Sequence, residues 1–203
     1  MGETVQHCLK VPTSVTLFSL FCCKIKKMQR FPLFVIFLLT YSYVSAQVMD
    51  ISIARPPLKA IDSIEQANNG KITSYNGITV RISSGYFPGS DNFHLGQPLI
   101  SIRKTTPLKV VLNYFYSLPD SAIRLIEYTW NASPEEKNKL TDIFETNARH
   151  FSKLFAGDGT ITQENHDTWS QKTIAWENDR NYVKQFMVIG AGTYRVRVLV
   201  SWK

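Results

Sequence analysis

Acidic and histidine side chains cluster near residue 165, where they could ligate a metal ion. In an extended segment Glu164 and His166 lie on one face, beside Asp167, and a carboxylate with an imidazole is a common beginning of a metal site. His94 lies in a separate glycine-rich segment. A hydrolase or metal-dependent enzyme that uses His94, His166 and nearby carboxylates is therefore one hypothesis, provided that these groups converge in one pocket.

The sequence around these histidines lacks the other parts of a catalytic site. No third metal ligand is evident beside His166, and no serine motif of the nucleophile-elbow type lies near His94. His150 directly precedes an apolar helix position and is expected on the exposed side of that helix. Solvated loop residues are the simpler interpretation, so we predict no catalytic residue, no metal site and no cofactor.

Residues 156–162 resemble the second half of an EF-hand calcium loop. If Asp158 and Gly159 take its fifth and sixth positions, the first, third and twelfth positions fall on Leu154, Ala156 and Asn165. Calcium needs oxygen ligands there and a bidentate glutamate at the last of them. A glycine-rich exit from the preceding helix, with Gly157 in the left-handed conformation, explains the same residues without calcium.

Three basic residues form the most organised surface feature of the sequence. Arg195 and Arg197 alternate with apolar residues on the last predicted strand, and Lys184 lies on the preceding one. On the water-facing side of a sheet such neighbours lie about 7 to 8 Å apart, close enough to act together on an anion. Solubility and protection against sheet stacking are the favoured role. Binding of an anionic small molecule or an envelope polymer is the alternative.

The loop of residues 84–98 is rich in glycine, proline and aromatic residues. Loops of this length inside a domain are often functional. Its aromatic residues could plug a sheet edge, which is the commoner role, or line a ligand pocket. The candidate ligand-binding residues are therefore drawn from this loop and from the basic strands: Tyr86, Phe93, His94, Lys184, Arg195 and Arg197.

Alternating apolar and polar residues predict strands, and a three-and-four spacing predicts one helix. The helix begins at a capping box, Ser133 with Glu136, and has one apolar face that includes Phe144 and Phe151. Strands are predicted in residues 78–82, 108–116, 123–130, 169–176, 183–189 and 194–202.

These elements predict an α+β fold in which an antiparallel sheet of about six strands packs against one long amphipathic helix, in β-β-β-α-β-β-β order. Residues 72–203 would form this single domain after an irregular segment, 47–71. In the last strand every second residue is apolar, and Leu199 is an apolar exception on the polar side. No internal repeat is evident in the sequence.

The amino-terminal residues have the composition of an export signal. A basic stretch that includes Lys24 and Arg30 precedes an apolar run, 31–39, and the small residues Ser45 and Ala46 offer a cleavage site before Gln47. The apolar run is too short for a membrane helix of about 20 residues. Residues 1–27 fit neither a signal nor a domain, which favours Met28 as the true start. A periplasmic or secreted protein without a stable membrane anchor is predicted.

Cleavage before Gln47 would change the charge and remove every cysteine. The full chain has a net charge of +7, whereas the residues from Gln47 onward carry 18 basic and 15 acidic side chains, a net charge of +3. Such a modest charge does not indicate nucleic-acid binding. The cysteines, Cys8, Cys22 and Cys23, precede the cleavage site, which excludes a disulfide framework or a zinc–cysteine site in the mature chain.

An export signal, an alanine–glutamine junction and a cysteine-free domain together resemble exported proteins of Gram-negative bacteria. This resemblance names no family. The sequence therefore predicts an exported globular domain that is a non-catalytic binding or envelope-associated protein, with the histidine-dependent enzyme as the alternative.

Overall fold

The computed structural model describes residues 51–74, 82–105 and 107–203. The export signal, the three cysteines and most of the strand predicted in residues 78–82 lie outside these ranges. Within them no helix is long and apolar enough to cross a membrane.

Eight strands and two α-helices make up the described fold. The helices are α1 (Ile61–Ala67) and α2 (Lys137–Phe155). The strands are β1 (Gly70–Ser74), β2 (Leu99–Arg103), β3 (Val110–Tyr116), β4 (Ile123–Asn131), β5 (Thr160–Asn165), β6 (Trp169–Glu177), β7 (Asn181–Gly190) and β8 (Thr193–Trp202). Short 3-10 turns occur at Leu58–Ala60, Ser90–Asn92 and Pro134–Glu136.

All eight strands belong to one antiparallel sheet, in the order β1-β2-β3-β4-β8-β7-β6-β5. The predicted α+β class, with an antiparallel sheet and a long helix, is confirmed. The strand count and the element order differ in detail, because β1, β2 and β5 were not predicted. The chain instead consists of two halves, each with one helix followed by four strands. The last strands of the two halves, β4 and β8, pair with each other at the centre of the sheet.

The long helix differs from its prediction at both ends. Ser133 precedes a 3-10 turn and its side chain makes no capping hydrogen bond, so the α-helix itself begins at Lys137. At the other end Ala156, and not Gly157, takes the left-handed conformation, with φ +53°. The Gly157 N–H donates to the Ser152 carbonyl at 3.0 Å, a six-residue closure typical of helix ends.

The main core lies between the helices and one face of the sheet, here called the helix face. Phe144 and Phe151 of α2 are buried in it, together with Val196, Val198 and Val200 of β8. The alternation predicted for β8 is thus confirmed. Leu199, the apolar exception, belongs to a smaller second cluster on the opposite face, under the 82–98 loop.

Residues 51–57 form an extended strap across the helix face. The Ile53 carbonyl accepts hydrogen bonds from Asn181 Nδ2 at 3.0 Å and Trp202 Nε1 at 2.9 Å. The Ile51 carbonyl lies 3.0 Å from His150 Nε2, so His150 is partly buried against the strap and not on the exposed side of the helix. The segment expected to be irregular is therefore tied to α2, β7 and β8.

Candidate functional site

The second face of the sheet carries the basic residues singled out in the sequence, and the 82–98 loop covers part of it. The end of the sheet with the β3–β4 turn is here called the lower end, and the opposite end the upper end. Phe87 of the loop is buried against Phe115, Leu125 and Phe186. The loop thus seals the lower part of this face with a second apolar cluster, and the upper part is left to polar side chains.

Phe93 packs against another aromatic residue of the 82–98 loop and also borders a cavity. Its ring stacks on Phe87, with the ring centroids 5.8 Å apart, and the Arg124 guanidinium lies 4.6 Å from the Phe93 centroid. Phe93 also lines a cavity of about 310 Å³ at the lower end, together with Tyr182 and Trp202. A ligand-binding role for Phe93 stays a prediction.

Arg197 lies in a buried polar network around Glu127. The Arg197 Nε lies 3.2 Å from Glu127 Oε1, and Tyr86 donates its hydroxyl proton to the same oxygen at 2.9 Å. Asn113 and Thr129 donate to the Glu127 carboxylate as well. Burial raises the pKa of Tyr86, and the neighbouring Glu127 raises it further, so the phenol stays protonated. The charge of Arg197 is therefore compensated within the protein.

Lys184 and Arg195 differ in the hydrogen bonds that their side chains form within the protein. Lys184 Nζ donates to the Gly85 carbonyl at 3.3 Å and so fastens the loop to β7. Arg195 Nε donates to Asn131 Oδ1 at 2.7 Å, and in the ranges that the structure describes no hydrogen bond or ion pair involves its two terminal nitrogens. Burial and the nearby Arg197 lower the pKa of Arg195. Lys184 also keeps N–H donors that its one bond does not use, but Arg195 is the one of the three predicted basic residues whose guanidinium is fixed along one edge with both terminal nitrogens open to a further acceptor.

Lysines distant in the sequence join Arg195 at the upper end of this face. Lys109 precedes Val110, which pairs with Trp130, so the sheet register brings Lys109 beside Asn131, the partner of Arg195 on β4. Lys104 immediately follows β2 at the same end. Lys71, on β1, pairs with Ile102 of β2. All three lysines are exposed. We call Lys71, Lys104, Lys109 and Arg195 the upper basic surface.

Sequence reasoning missed most of this surface because its members lie on four different strands or strand ends. Only the period-two pattern of β8 marked Arg195, whereas β1 and β2 were not predicted at all. Ile102 is 44% exposed beside Lys71, so the surface combines positive charge with an apolar side chain. Glu127 also escaped notice, although a glutamate inside the apolar run of β4 was a visible signal.

The histidines of the enzyme hypothesis lie at opposite ends of the sheet. The His94 carbonyl accepts a hydrogen bond from Leu118 N, at the β3–β4 turn of the lower end, and its side chain is exposed. His166 follows β5 at the upper end, where its ring stacks on Trp169 with the centroids 4.0 Å apart. The two imidazoles do not share a pocket. Across the residues the structure covers, no three histidine, cysteine or acidic side chains form a group that could hold a metal.

A buried ion pair on the helix face was also unforeseen. Glu65 of α1 is fully buried and accepts hydrogen bonds from Arg103 Nε at 2.9 Å, from Ser101 Oγ at 2.6 Å and from the Tyr114 hydroxyl. Burial alone would raise the pKa of Glu65, but the hydrogen bonds from Arg103, Ser101 and Tyr114 outweigh it and hold the pKa below its usual value. The site is so tight that a Cβ atom on Gly70 would collide with the Glu65 carboxylate and Ser101.

Comparison with known proteins assigns no family to this fold and these clusters, because no protein-family model matches the chain and no curated protein matches it.

Proposed function

We propose that the protein is an exported, non-catalytic binding domain that attaches to an anionic partner, either a small molecule or an envelope polymer, through the upper basic surface. The observation that carries this proposal is Arg195. Its Nε is fixed by Asn131, and the outer nitrogens of the same guanidinium form no hydrogen bond or ion pair with the other residues described. A guanidinium held by one edge is preorganised for a carboxylate or phosphate.

The charges around Arg195 support the same interpretation. Lys71, Lys104 and Lys109 lie exposed on the same part of the sheet, and like charges on neighbouring strands weaken a sheet slightly. Glu127, the nearby acid, is already engaged by Arg197 and Tyr86. Among the residues that the structure describes, no carboxylate forms an ion pair with these four basic side chains, so the surface presents positive charge on a broad sheet face, which favours an extended anionic partner over a deep-seated one.

Reversing two charges of the upper basic surface should weaken salt-sensitive binding to a polyanion. We expect Arg195→Glu with Lys109→Glu to weaken binding to immobilised dextran sulfate by about tenfold or more, since each basic residue near an anionic surface contributes about 1 kcal/mol. Arg197 is left intact because its loss would break the Glu127 network. The measurement is the affinity as a function of salt concentration.

A matched control makes the same change of net charge on the opposite side of the molecule. Arg149 and Lys153 are both exposed on α2, so Arg149→Glu with Lys153→Glu adds the same negative charge away from the proposed surface. We expect this control to retain most of the binding, and both double variants to keep the melting temperature of the parent. Equal losses in the two variants would show that only net charge matters and would refute the site.

The export part of the proposal predicts the first residue of the mature protein. Support comes from the basic stretch, the short apolar run and the small residues Ser45 and Ala46. Protein recovered from the envelope or the medium of an expressing Gram-negative bacterium should have the intact mass of residues 47–203. A recovered species that retains residues 31–46 would contradict cleavage and favour a membrane-anchored protein.

A further inference from the structure

A cavity of about 310 Å³ lies on the helix face, between the strap and strands β3 and β4. Ala54 and Pro56 of the strap form one side, Ile64 of α1 another, and Ile126 of β4 lies on the sheet side. Its volume is at the lower limit of the roughly 300 to 1,000 Å³ typical of small-molecule sites. These residues make one part of the cavity apolar, whereas Ser52 and Asn68 also line it, so the cavity favours a compact ligand that has an apolar body and polar groups.

The polar end of this cavity is a buried set of side chains with fixed positions. Arg103 is 6% exposed and forms an ion pair with Glu65, with Nη2 2.5 Å from Oε1. Tyr114, whose hydroxyl donates to the same carboxylate, lines the cavity beside Arg103. The ion pair neutralises itself, and its role at this site is to hold α1 against the sheet and keep the wall rigid.

Tyr128 contributes a hydroxyl group with unused hydrogen-bonding capacity. The residue is 6% exposed and lines the cavity, and within the described ranges no side chain or carbonyl forms a hydrogen bond with its hydroxyl. Burial raises the pKa of Tyr128 to about 12, so the phenol is neutral and remains a donor at physiological pH. An acceptor on a ligand in the cavity would give this hydroxyl a hydrogen-bond partner in place of water.

Arg55 supplies positive charge at the mouth of the cavity. Its Nε donates to the Ile123 carbonyl at 2.7 Å, which fixes the guanidinium, and the side chain remains exposed. Arg55 also lines an adjoining depression of about 430 Å³, so it lies between the cavity and the surface. Burial and the neighbouring Arg124 lower the pKa of Arg55. Asp120 lies close enough to act on the Arg55 pKa in the opposite direction, but its ion pair is with Arg124. Within the described residues no carboxylate forms an ion pair with Arg55 itself, so its guanidinium can take an anion.

We infer that this cavity is a second, independent binding site, for a small organic carboxylate with an apolar body. The carboxylate pairs with Arg55 at the mouth, the apolar body lies between Ile64, Ile126 and Pro56, and the Tyr128 hydroxyl donates to an acceptor of the ligand. The site is separate from the upper basic surface, because it lies on the helix face of the sheet.

Benzoate is a suitable probe, with benzamide as its uncharged counterpart. In a titration followed by amide chemical shifts, benzoate should produce saturable shifts at residues that line the cavity, and benzamide should bind about tenfold more weakly or worse, because it lacks the charge-assisted bond to Arg55. Absence of saturable shifts at the cavity up to millimolar benzoate, or equal binding of benzamide, would overturn the inference.

Two conservative variants locate the contacts. Arg55→Gln should lower the affinity for benzoate about tenfold or more. Tyr128→Phe, which keeps the ring and its packing, should lower the affinity roughly threefold to tenfold. Arg149→Gln, an equal charge change on the exposed side of α2, should leave benzoate affinity unchanged. If Arg55→Gln binds benzoate as the parent does, the site is wrong. Arg195→Glu should not alter benzoate binding, which separates this inference from the proposed function.

Discussion

Phe151→Ala should lower the free energy of unfolding by about 3 to 5 kcal/mol, as loss of a fully buried aromatic side chain does. Phe151 is completely buried on α2, and its ring lies 5.3 Å from that of Trp176 on β6. Because α2 also packs on β7 and β8, the vacated volume would lie between the helix and three strands that the sheet holds in place. Little collapse can compensate for such a cavity.

The measurement is equilibrium unfolding in denaturant, with the thermal midpoint as a second reading. A loss of this size should lower the melting temperature by roughly 10 °C. Leu154, on the same turn of α2 but 45% exposed, provides the control: Leu154→Ala should cost less than about 1 kcal/mol. Similar losses for the two variants would mean that the apolar face of α2 is not the core contact described here.

The strands that sequence reasoning found are the longer ones, of seven to ten residues, with buried apolar residues on the helix face. Strands β3, β4 and β6 to β8 border the main core, so each contains apolar residues in sufficient number to be recognised, and in β8 they recur at every second position. Strand β5 escaped because it is the sheet edge and all six of its residues are exposed, which removes the alternation. Strands β1 and β2 are five residues each, too short for a clear period. The alternation of apolar and polar residues reveals a strand only where one of its faces buries apolar side chains, and β1, β2 and β5 bury few of them.

The repeated architecture could not be seen in the sequence for a related reason. Each half of the fold has a helix and four strands, yet α1 has seven residues and α2 has nineteen. The 82–98 loop lies between β1 and β2 and has no counterpart in the second half. Two halves that share only the order of their elements retain no spacing that a search for repeats could recognise.

The candidate site was partly predictable, because charge type can be read from sequence but pairing cannot. Arg197 and Arg195 have the same residue type and alternate on one strand. Glu127 neutralises the first and the Tyr86 hydroxyl accepts a hydrogen bond from it, and only the structure brings these residues to Arg197, from β4 and from the loop. Glu65 is similar: as one of two acids in a short helix it gave no sign that it would be fully buried.

Glu65→Leu should destabilise the fold by about 3 to 5 kcal/mol, as removal of one partner from a buried ion pair does. The substitution would leave Arg103 charged and buried, and would deprive Ser101 and Tyr114 of the acceptor to which both donate. Because α1 contacts the sheet through this pair, the loss should be seen first as increased amide exchange in α1 and β1. An unchanged stability would show that water replaces the lost carboxylate.

The same pair makes stability depend on pH, with a sign set by the lowered pKa of Glu65. An acid whose pKa is lower in the folded than in the unfolded state binds fewer protons when folded. Its contribution is therefore complete above the ordinary glutamate pKa of about 4.3 and is lost as the pH falls below that value toward the folded pKa. Glu65→Gln cannot titrate, so the parent should lose more stability than this variant between pH 5 and about pH 3. Parallel pH profiles for the two proteins would contradict a carboxylate stabilised in this way.

A double variant separates the cost of an unpaired charge from the value of the pair itself. Glu65→Leu with Arg103→Met removes both charges and fills the same volume with apolar groups, an exchange that is often neutral or stabilising for buried ion pairs. We expect the double variant to recover a large part of the stability lost in Glu65→Leu, although Ser101 and Tyr114 remain without their acceptor. A double variant as unstable as the single one would show that these two hydroxyl contacts, and not the charge on Arg103, account for the loss.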